Sequence, residues 1–200
     1  MNAPGKHLTL RDAEQSDCAE LARLINLAGE GLPYYLWQKM AAPGEDPWEI
    51  GQERAARETG SFSYRNSVVA EADDGIAGVL IGYPVADEPE AIDIDNTPPM
   101  FVPLLELENL AAGTWYVNAV AVFPEARGLG VGSELMRLAG KTAARLELRG
   151  TSLIVADANR GARRLYERLG YEEVATRPMV KEQWESPAEN WVLMIRVPGD

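Results

Sequence analysis

Between Arg127 and Met136 the chain reads RGLGVGSELM: Arg127-Gly128-Leu129-Gly130-Val131-Gly132-Ser133-Glu134-Leu135-Met136. Three alternating glycines stand where a helix is about to begin. Helices usually open on Ser, Thr, Asp or Asn, whose side chain accepts from the first free backbone N–H groups. No such cap precedes this pattern, and glycine removes every side chain that would cover those donors. Bare N–H groups and the positive end of the helix dipole together make an anion site, with phosphate as its usual occupant.

What lies on either side of the glycines sets the fold. Upstream, Thr114–Phe123 (TWYVNAVAVF) is the most apolar, β-rich run in the chain and reads as a central strand. Downstream, Val131, Leu135, Leu138, Thr142 and Leu146 follow helical spacing over 131–148. Thr151–Ala156 reads as a buried strand, Asn159–Leu169 as a helix stopped by Gly170, and Tyr171–Thr176 and Trp191–Val197 as two further strands. Alternating strands and helices in this half predict a mixed α/β sheet.

The first half adds to that sheet. His7–Arg11 alternates as a short strand, and Ser16 or Asp17 offers a cap for a helix carrying Leu21, Leu24, Ile25 and Ala28, ended by Gly29. Helices are expected over GLPYYLWQKM and around Pro47–Glu58. Strands over Ser61–Ala72 and Ile76–Val85 are joined by Asp73-Asp74-Gly75, a hairpin signal. The acidic, proline-containing run 86–99 reads as a surface loop, and the segment after it as a short amphipathic helix.

Composition narrows the chemistry. Two hundred residues, 46% hydrophobic, describe one globular domain, with no membrane-spanning run and no signal-peptide core. The one cysteine, Cys18, lies on the apolar stripe of a helix and reads as a buried thiol in a reducing, cytoplasmic setting. One histidine, His7, and one cysteine exclude a His/Cys zinc site and argue against His-based nucleophilic catalysis. A net charge of −12 disfavours nucleic acid and anionic membranes as partners. The charge is also segregated. Residues 126–168 carry nine Lys/Arg against four Asp/Glu, whereas 66–126 carry eleven Asp/Glu and no Lys or Arg. Two solvated faces account for this, and so does a site where an anionic and a cationic ligand meet.

Several cofactors use glycine loops. A Walker A reading of Gly140-Lys141-Thr142 fails because Leu135 stands where the first glycine belongs. A dinucleotide fingerprint from Gly128 fails at Ser133, although Asp157 ends the next strand where a ribose-binding acid would stand. Arg127-x-x-Gly130-x-Gly132 after an apolar strand, followed by Asn159-x-x-Ala162-x-x-Leu165-Tyr166-Glu167-x-x-Gly170-Tyr171, resembles the GNAT superfamily of acetyl-CoA-dependent N-acetyltransferases.

The resemblance implies a single GNAT-like domain over 1–200. Its α/β fold would be a mixed, mostly antiparallel, twisted sheet of six to seven strands flanked by helices and splayed at the central pair. The acyl-CoA core would span about 114–174, with an insertion or acceptor-side loop at about 86–113. Acetyl-CoA is the implied co-substrate, with no metal. Its pyrophosphate would meet Arg127 and the backbone of Gly128, Leu129, Gly130, Val131, Gly132 and Ser133. Its pantetheine would lie along Val120, Ala121 and Val122 and face Asn159, which also reads as a plain N-cap. Tyr166 is implied as the general acid that protonates the departing thiolate; core packing is its other reading.

The acceptor side is less legible. Many family members carry a glutamate base on the central strand, whereas this strand has Asn118, able at most to orient a water. Glu106, Glu108, bulk water or an already neutral amine remain as bases. Tyr34, Tyr35, Trp37 and Trp48 either wall a pocket or fill core. The acceptor is a small-molecule, peptide or protein amine, with the acidic region favouring a cationic one. A homodimer is compatible with such a fold. A longer acyl-CoA, or a CoA-binding sensor without catalysis, are the alternative readings.

Overall fold

A computed structural model describes residues 8–198, so His7 lies outside the described residues. Seven strands form one sheet in the order β1-β2-β3-β4-β5-β7-β6. They are β1 (Thr9–Asp12), β2 (Ser67–Ala72), β3 (Gly75–Pro84), β4 (Trp115–Val122), β5 (Thr151–Ala156), β6 (Glu172–Pro178) and β7 (Asn190–Arg196). The helices are α1 (Cys18–Ala28), α2 (Leu32–Met40), α3 (Pro47–Ala55), α4 (Val102–Asn109), α5 (Val131–Arg145) and α6 (Arg160–Arg168). β4 pairs with β5 in parallel, while β1–β2, β2–β3, β5–β7 and β6–β7 are antiparallel, so the sheet is mixed as expected. The chain divides into two units, Met1–Gly82 with Asn118–Arg137, and Tyr83–Val117 with Leu138–Asp200.

In the first unit, Cys18, Leu21, Leu24 and Ile25 of α1 are buried against Val69, Val79 and Ile81 of the hairpin and Ala119 and Ala121 of β4. Trp37 of α2 meets Trp48 of α3 edge-on at 5.7 Å, and a Cβ on Gly51 would stand 2.6 Å from the Trp37 ring. Tyr34 packs on Trp48 at 4.9 Å. Trp37 is thus core, with Tyr34 and Trp48 packed against it. Asp46 caps α3, its Oδ1 accepting from the Trp48 N–H at 2.9 Å ahead of Pro47. Asp17 does not cap α1 with its side chain. Its carboxylate instead accepts from Glu14 N–H at 2.8 Å and pairs with Arg11 at 2.7 Å, a charged partner outbidding the helix amides. The expected strand from Ser61 starts only at Ser67. Ser63 Oγ accepts from Arg65 N–H at 3.1 Å and closes a helical turn over Tyr64–Asn66 first.

In the second unit, Leu107 and Ala111 sit in a core with Leu193 and Ile195, and Ile154, Ala175 and Trp191 pack around it. Asp157, the candidate ribose acid, is a clasp between β5 and β7. Its carboxylate accepts from the backbone N–H of Glu189 and Asn190, both at 3.0 Å, and from Asn190 Nδ2 at 2.9 Å. Burial pushes the Asp157 pKa up, but these donors win and leave it below the usual carboxylate value.

Helix α5 differs from its sequence pattern in phase. Its buried positions include Val131, Leu135, Met136, Ala139 and Ala143, whereas Leu138 and Thr142 are half-buried and Leu146 is 47% exposed beyond the helix end.

Candidate functional site

The first unit carries the glycine loop. β4 ends at Val122, Phe123 N–H bonds back to Ala77 O at 2.9 Å, and a short turn over Pro124–Ala126 leads into Arg127. Gly128 and Gly130 have φ of +77° and +84°, and a Cβ on either would meet nothing within 4 Å. Glycine is therefore required by backbone conformation, not by crowding. Residues 127–130 are all exposed, Leu129 at 56%. The first N–H groups of a helix lack intrahelical partners. The ladder of α5 starts with Glu134 N–H on Gly130 O at 3.1 Å, so the N–H groups of Val131, Gly132 and Ser133 occupy that opening turn. The geometry is that of an anion cradle. Arg127 donates from Nε to Val122 O at 3.3 Å, which folds its guanidinium along the loop and engages one of the carbonyls expected to meet pantetheine.

Gly78, which the sequence reading passed over, supports this loop. A Cβ there would stand 2.6 Å from Ala121 O and 3.3 Å from side-chain atoms of Val122 and Val131. β3 thus runs hard against β4 just where the glycine loop leaves it. An isolated glycine within a strand pattern is the signal that marks such an approach. Asn118, half-buried on β4, donates from Nδ2 to Ser61 O at 3.3 Å. A cavity of about 760 Å³ in this unit lies against Glu20, Phe123 and Pro124, but the Arg11 on its wall is already paired with Asp17 and Glu71.

The second unit carries the other motif. Asn159 caps α6, its Oδ1 accepting from Ala162 N–H at 3.1 Å. Tyr166, two residues before the end of α6, is 7% exposed, and its ring stands 5.9 Å from that of Tyr171. Thr151 Oγ1 donates to the Tyr171 hydroxyl at 2.7 Å, which locks that neighbour to β5. β4 pairs with β5 over Trp115–Val117 and Thr151–Leu153.

The two acids left open as bases differ sharply. Glu106 on α4 is ion-paired with Arg177 of β6, Oε2 to Nε at 2.6 Å. Among the described residues no cation pairs with Glu108; burial pushes its carboxyl above the usual range, against a lowering hydrogen bond from Tyr83, with the charge of Glu90 adding to the rise. Tyr83 was not anticipated, since nothing local links the end of β3 to α4. Among the described residues no three His, Cys, Asp or Glu side chains are grouped as a metal site, and no helix is long and apolar enough to cross a membrane.

Comparison with known proteins agrees with the fold. No curated protein matches the chain in sequence. In structure it is similar to an N-acetyltransferase from Staphylococcus aureus Mu50, at 18% identity over 94% of this chain and 100% of that one, with a TM-score of 0.63. It is also similar to the ribosomal-protein-S18-alanine N-acetyltransferase of Escherichia coli, at 16% identity over 94% and 92% of the two chains, with a TM-score of 0.58. These likenesses speak to the fold. The acetyltransferase (GNAT) family model matches residues 33–171, most of the chain and both motifs, and the protein belongs to that family.

Proposed function

We propose that this protein moves the acetyl group of acetyl-CoA to a primary amine by direct attack, working as one domain in the cytoplasm. The observation that carries the donor half is the exposed glycine turn at the head of α5, with φ of +77° at Gly128 and +84° at Gly130. The opening-turn N–H groups and the helix dipole behind this exposed turn suit a diphosphate, and the family supplies CoA as its bearer. In this reading the backbone of 128–133 holds the pyrophosphate and the guanidinium of Arg127 adds a charged contact. Pantetheine amides pair along Val120–Val122 as an added strand does. Asn159 keeps Oδ1 on its own helix and offers Nδ2 to the pantetheine.

Tyr166 is the general acid. Its role rests on the match between the 159–171 motif and the family pattern. Attack of a neutral amine on the thioester forms the C–N bond, the C–S bond breaks, and the phenol protonates the thiolate. The acceptor is a cationic amine in its resting form, supported by the eleven acids and absent Lys/Arg of residues 66–126.

Asn118 in place of an acid, tied to Ser61 O at 3.3 Å, favours one second reading, a CoA-binding module that transfers nothing. Thiol release from acetyl-CoA across a panel of primary amines separates the two. Amine-dependent release, with the acetylated amine identified by mass spectrometry, is expected. Binding of acetyl-CoA with no release by any amine, peptide or protein would select the second reading.

A further inference from the structure

On the acetyltransfer reading above, one group is still required: an acceptor for the proton of the incoming ammonium. We infer that Glu108, on the helix inserted between β3 and β4, is that general base. Leu107 and Ala111 fix the rotation of this segment by burying themselves against Leu193 and Ile195. Glu108, one position on from Leu107, is held half-buried against the end of β3, where the Tyr83 hydroxyl hydrogen-bonds its carboxyl. The Tyr83 ring stands 5.5 Å from that of Tyr116, a buried residue of β4. A carboxylate and two phenols from three successive elements therefore converge beside β4.

That convergence addresses the gap in the sequence. β4 itself carries no acid, and Tyr116 stands two residues before Asn118, about 7 Å along a strand and on the alternation shared with it. A carboxylate supplied from α4 beside Tyr116 takes the place of one on the strand. Glu106 is unsuited, because its carboxylate is already occupied by the Arg177 guanidinium at 2.6 Å. Burial does the opposite for Glu108 and moves it towards the pH at which it must accept a proton.

The ammonium gives one proton to Glu108, directly or through a water, and the neutral nitrogen attacks the thioester carbon. As the C–S bond breaks, Tyr166 gives its proton to sulfur and regains one from the new amide nitrogen. Glu108 then releases its proton to solvent, so ammonium and acetyl-CoA yield amide, CoA thiol and one free proton.

The test compares wild type, Glu108→Gln, Glu106→Gln and Tyr83→Phe with acetyl-CoA and 2-phenylethylamine, from about pH 6 to about pH 10, an interval ending near the pKa of an alkylammonium. Glu108→Gln is expected to lower kcat/KM for the amine roughly 100-fold at neutral pH, the low end of general-base effects. The deficit shrinks as alkaline pH supplies free amine, and the KM for acetyl-CoA stays unchanged. Glu106→Gln is expected to stay within about threefold of wild type, since exposed ion pairs contribute little. The groups facing Glu108 are Tyr83 from β3, Tyr116 from β4 and Glu90 from the preceding loop. Removing the Tyr83 hydrogen bond, which lowers the Glu108 pKa, therefore moves the acidic limb of the pH profile upward. A folded Glu108→Gln enzyme with wild-type rate and pH profile overturns the assignment while leaving acetyltransfer intact. Wild type that releases no thiol with any amine overturns the transfer reading, and the base with it.

Discussion

Replacing Gly78 with alanine tests whether β3 holds the glycine loop in place. The added Cβ would lie 2.6 Å from Ala121 O, a backbone atom that cannot swing aside, and 3.3 Å from Val122 and Val131 side-chain atoms. Relief requires β3 and the end of β4 to separate by several tenths of an ångström, close to where Phe123 N–H bonds Ala77 O at 2.9 Å. Overpacking of this kind costs about 1–3 kcal/mol. For a chain of this length that is a fall in Tm of roughly 2–12 °C. Because Val131 opens α5, the same shift displaces the helix N-terminus, and acetyl-CoA binding should weaken about tenfold, a loss of about 1.4 kcal/mol. Thermal unfolding read by circular dichroism gives the first quantity, and calorimetric titration of acetyl-CoA gives the second. Gly75→Ala is the control: it lies at φ +110° with nothing within 4 Å of its Cβ, so it strains the turn without pressing on β4. A Gly78→Ala protein matching wild type in both Tm and affinity would refute the reasoning.

Tyr166→Phe keeps the buried ring beside Tyr171 and removes the hydroxyl, so turnover should fall about 100-fold with acetyl-CoA affinity held within about twofold; equal losses in both would assign Tyr166 to packing. Asp17 is held below the usual carboxylate value first by the hydrogen bond from Arg11, against a raising effect of burial. Its contribution is therefore present above the unfolded value of 3.8 and lost as pH falls through the folded one. Asp17→Asn should cost about 2 kcal/mol at pH 7, and the difference should shrink in urea melts as the pH falls below 3.8. Glu108 has the opposite sign: its raised folded pKa makes the ionised form unfavourable in the folded protein. Glu108→Gln should match or exceed wild-type Tm at pH 7, with any gain vanishing below the unfolded value of 4.5; a large loss of Tm at pH 7 would contradict its burial as a strained carboxylate.

The sheet and the glycine turn ahead of α5 were legible in sequence because local signals agree there. Thr151–Ala156 appears as β5 unchanged, and the β-rich run at 114–123 becomes β4 over Trp115–Val122. The glycine spacing at Gly128 and Gly130 has a direct backbone cause in positive φ. Legibility failed where one local preference overrode another. Ser63 closes a turn inside an apparent strand, and α5 buries Ala139 and Ala143 while leucine counting had chosen Leu138 and Leu146. It failed wholly for contacts made at long range. Nothing in sequence could pair Glu106 with Arg177, 71 residues away, and so remove one of two otherwise equivalent glutamates from contention. Nor could it show that the phenol at Tyr83 meets the other.

The central claim is that residues 127–133 bind the CoA pyrophosphate. Calorimetric titration of acetyl-CoA into wild type and into Gly130→Asp tests it most directly. Aspartate places a negative charge and a side chain at φ +84°, on the exposed turn that feeds α5. Loss of one or two charge-assisted hydrogen bonds, at about 1.5–3 kcal/mol each, predicts at least a tenfold weaker Kd in a protein that still unfolds cooperatively. A folded Gly130→Asp protein that binds acetyl-CoA as tightly as wild type would contradict the claim.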